Sequence, residues 1–222
     1  MTARFPLSLL KQAFLAALLL GAMTGGAAAV DDAAILAKKP PRQLSGFGFF
    51  ADAARQVPAT GVLPFAPRTP LFTDFAEKRR FVYLPDGQSA AYDAREAFAF
   101  PVGSALIKTF AYAAADRPGG LRLVETRVLL RQEQGWEAWA YVWNEAQSEA
   151  ELKIAGAKLP MEIPLPGGAV EAITYAVPNK AQCKGCHELS GEIAPIGPKA
   201  RNLNHDFDYA EGPENQLARW SA

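Results

Sequence analysis

Runs rich in apolar, β-branched and aromatic residues follow one another through the middle of the chain, separated by turn residues. Arg80-Phe81-Val82-Tyr83-Leu84 stops at Pro85-Asp86-Gly87, where proline fixes one dihedral and glycine accepts positive φ. Ser104–Tyr112, Leu121–Arg131 and Trp136–Asn144 follow as strands, the last two joined at Gln134-Gly135 as a hairpin. Trp139, Tyr141 and Trp143 then share one face of their strand, as a sandwich core requires. Glu151–Ile154 and Ala172–Ala176 are weaker strands that lead to Val177-Pro178-Asn179. A proline- and aromatic-rich segment from Leu44 to Pro70 reads as a wrapping stretch with a short helix near Asp52–Arg55. The pattern predicts a mainly β fold: an antiparallel, sandwich-like domain over 44–178, then a partly helical segment over 179–222 with a closing helix near Glu214–Trp220.

The chain ends differently from how it begins. Arg4 and Lys11 precede an apolar run from Ala13 to Met23, and small residues follow as far as Ala27-Ala28-Ala29. This is the layout of a secretory signal over residues 1–29, too short for the roughly 20 apolar residues of a comfortable membrane span. The expected mature chain starts near Val30, resides in the periplasm and has no membrane span after signal removal. Residues 30–43 read as an exposed lead-in, because Lys38-Lys39-Pro40-Pro41 stops any helix. Without the signal, 21 basic residues face 23 acidic ones, a balance that gives no reason to expect nucleic acid as a partner.

Both cysteines and one of two histidines lie in Gln182-Cys183-Lys184-Gly185-Cys186-His187. Four chemistries compete there. A disulfide would not require His187 and would close a small, strained loop. A dithiol redox site needs a βαβ setting that the strand series does not supply. Zinc held by Cys183, Cys186, His187 and His205 lacks the short spacing of a second ligand pair. Covalent haem fits best: positions i, i+3 and i+4 share a helix face, so two thioethers and one imidazole address a single planar ligand. The expectation is one covalent haem c, bound through Cys183 and Cys186, with His187 as the proximal iron ligand. By the chain's resemblance to many small cytochromes c, which carry a proline about eleven residues past the haem histidine, Pro198 is expected to hold the other imidazole N–H through its carbonyl. For the sixth iron position the sequence offers His205, or Met161, the one methionine after the signal and set in a proline-rich loop, or an open site, or a ligand from outside this chain. Lys180, Lys184, Lys199 and Arg201 are placed to ring the haem edge and steer an acidic redox partner. Lys108, Glu125, Arg127, Tyr141 and Trp143 are the groups that a distal pocket could draw on.

TPLFTDFAEKRRFVYLP (Thr69–Pro85), FPVGSALIKTF (Phe100–Phe110), ETRVLLR (Glu125–Arg131), GWEAWAYVWN (Gly135–Asn144), YAVPNKAQCKGCH (Tyr175–His187), PIGPKARNLN (Pro195–Asn204) and NQLARW (Asn215–Trp220) carry a family likeness. In these blocks the chain resembles exported bacterial c-type cytochromes that usually hold two haems. The resemblance covers most of Leu44–Trp220 and implies covalent haem at Cys183 and Cys186, His187 as proximal ligand, and electron transfer. Members continue into a second haem domain, whereas this sequence stops at Ala222. A single-haem variant or a truncated copy is therefore expected, with a redox protein or a separate haem domain as partner. A looser, fold-level similarity points to the cytochrome P460 group, five-coordinate haem proteins with a lysine cross-linked to the porphyrin, for which Lys108 is the residue to compare.

Overall fold

The computed structural model describes residues 29–221, so the expected signal lies outside them save for its last residue. A short helix α1 (Asp32–Leu36) and a small hairpin of β1 (Phe50–Asp52) and β2 (Val57–Pro58) come first. Six strands then form one antiparallel meander in sequence order: β3 (Val62–Phe65), β4 (Glu77–Tyr83), β5 (Ala105–Ala113), β6 (Leu121–Gln132), β7 (Gly135–Trp143) and β8 (Ala150–Leu152). A separate hairpin pairs β9 (Ala157–Pro164) with β10 (Val170–Val177). The C-terminal segment holds α2 (Lys180–Cys186), the hairpins β11 (Glu188–Leu189)/β12 (Glu192–Ile193) and β13 (Asp206–Tyr209)/β14 (Gly212–Asn215), and the short helices α3 (Ala200–Leu203) and α4 (Gln216–Ser221).

Strand alternation sorts side chains onto two faces of the meander, and each face has its own cover. Phe81, Ile107, Val128, Leu130, Tyr141 and Trp143 point to one side, where Ile35, Leu44, Phe47 and Phe49 from the N-terminal segment pack on them. Trp139 packs against the same cluster, so the three aromatics of β7 do share a face, as their spacing predicts. On the other side Phe110, Tyr112, Val124 and Ala140 meet Ile163, Tyr175 and Val177 of the β9–β10 hairpin. Further along that same side, Leu106 and Val82 meet Phe98, Phe100, Leu203 and Trp220. The expected antiparallel, β-rich fold is present, but its second layer is a two-stranded hairpin plus the C-terminal segment instead of a second full sheet.

Strand β6 is bulged where it meets the middle of β5. Phe110 opposes Glu125 while Ala111 opposes Leu123, leaving Val124 as the extra residue. The insertion turns Val124 and Glu125 toward the hairpin side in succession, the local re-aiming that bulges provide.

Three expectations change. Asp52–Arg55 is a turn, not a helix: Asp52 Oδ1 accepts from the Arg55 N–H at 3.0 Å and closes the β1–β2 hairpin. The segment 30–43 is not an exposed lead-in throughout, since Ile35 is fully buried and Tyr83 donates to Asp32 Oδ1 at 2.7 Å. Met161 sits in a strand instead of a loop, because Pro160 and Pro164 are tolerated on a two-stranded edge where no further ladder needs their missing N–H.

Candidate functional site

Helix α2 is short, and its start is held by a reciprocal cap. Asn179 Oδ1 accepts from the Gln182 N–H and Gln182 Oε1 accepts from the Asn179 N–H, both at 2.9 Å. The Lys180 ammonium lies 4.6 Å over the Trp139 ring and against the Glu137 carboxylate, tying the helix to β7. His187 is the C-cap, its N–H reaching the carbonyls of Cys183 at 3.1 Å and Lys184 at 3.2 Å. One helical turn thus delivers Cys183, Cys186 and His187 to the wall of a single cavity of about 570 Å³.

The chain then folds back at once. Ser190 (φ 54°) and Gly191 (φ 88°) form a two-residue turn with both central φ values positive, and β12 returns to His187. Ala194 clamps the histidine from both sides: its N–H donates to the His187 carbonyl at 2.7 Å, and its carbonyl meets His187 Nδ1 at 3.2 Å. A carbonyl can only accept, so this bond assigns the proton to Nδ1 and leaves the Nε2 lone pair free. Burial holds the imidazole below its usual pKa, and nearby Lys108 and Arg127 add to that; only the Ala194 bond works the other way. Burial and the two cations therefore favour the neutral imidazole.

Ala194 therefore takes the role expected of Pro198. The Pro198 carbonyl accepts from the Phe98 N–H at 3.1 Å, while the buried proline forms part of the cavity wall. His205 is also elsewhere. Its Nδ1 faces the Asp206 carbonyl at 2.9 Å and its Nε2 faces the Gln216 amide nitrogen at 2.9 Å. Gln216, fully buried, completes the arrangement by bonding both backbone groups of Ala66 at 2.9 Å. With both ring nitrogens engaged outside the cavity, His205 does not supply a sixth ligand, nor a fourth zinc ligand. Met161 packs in the β9–β10 cluster and is likewise away from the cavity wall.

The strand side of the cavity is charged. Arg80, Lys108 and Arg127 occupy directly paired positions on β4, β5 and β6 and all line the cavity. Glu125, fully buried, accepts from Arg127 Nε at 2.7 Å and Nη2 at 2.8 Å, and from the Tyr175 hydroxyl at 2.8 Å. Burial raises the Tyr175 hydroxyl, which stays protonated as a donor, and Glu125 outweighs the burial that would lower Arg127. Tyr141 and Trp143 are on the far face of the sheet, so of the five groups expected for a distal pocket only Lys108, Glu125 and Arg127 are on this side.

Burial first, then Arg80, Arg127 and Lys78, pull the Lys108 ammonium down to about 7 from an ordinary 10.5. Between those values the unfolded chain keeps this proton while the folded chain sheds it, so stability rises with pH across the window. Lys108→Met is expected to flatten the rise in urea midpoint measured from about pH 7 to 10. An unchanged slope would show that the ammonium is freely solvated.

Cys183 is buried, Cys186 is exposed, and both are free thiols. Burial raises the Cys183 thiol despite the partial relief from Arg127, a setting that disfavours the thiolate needed for dithiol exchange or zinc. The basic ring expected around the motif is largely committed to the fold: Lys199 pairs with Glu96 at 2.6 Å, Arg201 donates to the Arg95 carbonyl, and Lys180 sits on Glu137 and Trp139. Compared with known proteins, the chain matches no family model, no curated protein and no solved structure.

Proposed function

We propose that the protein is an exported c-type cytochrome that holds one haem through Cys183 and Cys186 and passes electrons. The observation that carries this reading is the convergence of both sulfurs and a tautomer-fixed His187 on one cavity. The cavity falls within the roughly 300–1,000 Å³ of cofactor sites and is walled by apolar groups such as Phe65, Leu106, Phe110 and Leu129. Haem would supply a one-electron couple there. The chain's own residues do the rest: Cys183 and Cys186 fix its position, Ala194 orients His187, and the apolar wall limits water around the iron. The likeness to di-haem exported cytochromes is consistent with this and makes a second haem protein the natural electron partner.

The cavity wall also favours a second reading, in which the iron keeps its sixth position open for a small ligand. Among the described residues, the cavity that His187 lines also presents Arg80, Lys108 and Arg127, and neither His205 nor Met161 lines it. Co-expression with a haem-maturation system should give a coloured protein that keeps its colour in acidified acetone, and colour lost to the solvent would end the proposal. Carbon monoxide added to the reduced protein then separates the two readings, since prompt spectral change marks an open iron. His205→Ala is expected to leave the spin state unchanged, and a switch from low to high spin would restore His205 as a ligand.

A further inference from the structure

We infer that Arg80, Lys108 and Arg127 form a cradle for an oxyanion, carboxylate-like in shape, inside the cavity. Like charges directly opposite one another on adjacent strands are destabilising, with side chains only about 5 Å apart. Here three cations stand in one transverse row, Arg80 facing Lys108 and Lys108 facing Arg127. Among the described residues, the carboxylate bonded to this row is that of Glu125, two residues along β6, which Arg127 engages with two nitrogens. Arg80 and Lys108 pair with no carboxylate among the described residues; the Arg80 guanidinium reaches only the Lys78 carbonyl, at 3.3 Å. Lys78, two residues before Arg80 on β4, donates to the Leu71 carbonyl at 2.8 Å and adds a further positive charge nearby.

The surroundings sharpen the cost. Lys108 Nζ and the Arg127 guanidinium lie 4.5 and 4.4 Å from the centre of the same Phe110 ring, and Leu106 and Leu129 flank the row. A sheet that only needed strand-forming residues would place Thr or Val at these positions. Without an anion, Lys108 relieves this crowding by giving up its proton; an anion held between Arg80 and Lys108 would let both stay charged against the apolar wall. Arg80 and Arg127 offer forked donors that match a planar oxyanion, and Lys108 adds a point charge between the forks.

Two sources share this chemistry: the carboxylates of an attached porphyrin, and a small free oxyanion. The test uses the full mature chain, haem-loaded and as Cys183→Ala/Cys186→Ala, titrated calorimetrically with acetate and with phosphate at constant ionic strength. Saturable binding by the haem-free chain alone assigns the cradle to the porphyrin carboxylates. Saturable binding by both assigns it to a free oxyanion. In either case Arg80→Gln with Lys108→Gln should weaken binding at least about tenfold, as expected when charge-assisted bonds are lost. Circular dichroism of each variant establishes that it is folded, and the Arg80→Gln single variant replaces the pair if the pair is not. Absence of saturable binding from both preparations, or binding indifferent to these substitutions, would overturn the cradle. If the chain takes up no haem, the haem-free titration still decides the point, so the two proposals fail separately.

Discussion

Cys183→Ala combined with Cys186→Ala is expected to abolish covalently held haem, read as complete loss of the haem-stained band on a denaturing gel. Each single substitution should leave one thioether and a weaker band. The two positions are not equivalent: Cys183 is buried against the cavity wall, whereas Cys186 is exposed at its rim. The Cys183 variant should therefore also lose packing, and its unfolding midpoint should fall further than that of the Cys186 variant. His187→Ala should keep the band, since both sulfurs remain, while its visible spectrum changes because the iron has lost its imidazole. A stained band that survives removal of both cysteines would refute attachment at this motif.

Glu125→Ala is expected to be the most destabilising single change in the charged wall. It removes the carboxylate that Arg127 and Tyr175 share and leaves three cations with no buried counter-charge. Breaking a buried pair in this way costs about 3–5 kcal/mol, and the Arg127 side chain's 32% exposure argues for the lower end. A loss of about 3 kcal/mol corresponds to a fall in Tm of roughly 6–12 °C for a chain of this size. Urea unfolding of the purified protein gives the first number and a thermal scan the second. Glu125→Gln, which keeps the shape and loses the charge, should fall between. Adding Arg127→Met to Glu125→Ala should recover part of the loss, because the orphaned cation goes too. A double variant no better than Glu125→Ala would mean that packing, not charge, sets the effect.

The sheet and the motif differ in how openly the sequence declares them. β5, β6 and β7 are readable because they are rich in apolar, β-branched and aromatic residues and their turns carry glycine. The β6 bulge is also encoded, in the shift of buried positions from Leu121 and Leu123 to Val128 and Leu130, a change of parity that a two-residue period alone does not anticipate. β9 is hidden by Pro160 and Pro164, which argue against any strand until its edge position is known. Within the site, the helical spacing of Cys183, Cys186 and His187 is legible, and Ser190-Gly191 carries the signal for the hairpin that brings Ala194 back. The proline expected to hold the imidazole came from a habit of small cytochromes, and here the local hairpin does that work four residues earlier. His205 could not be placed from sequence, because its position depends on Gln216 and on Ala66, 139 residues away. Pairing parity, in contrast, would have separated Lys108 and Arg127 from Tyr141 and Trp143, had the strand register been known.

All the fully or nearly fully buried members of the N-terminal core lie between Ile35 and Ala150, ahead of both cysteines. A chain threaded through a membrane with its amino end leading can close that core while Cys183 is still emerging. The attachment apparatus would then receive a scaffold already rigid on one side and a pair of thiols not yet folded away. On the proposed reading, export with the amino end leading and late attachment are compatible because of where the aromatic residues fall along the chain.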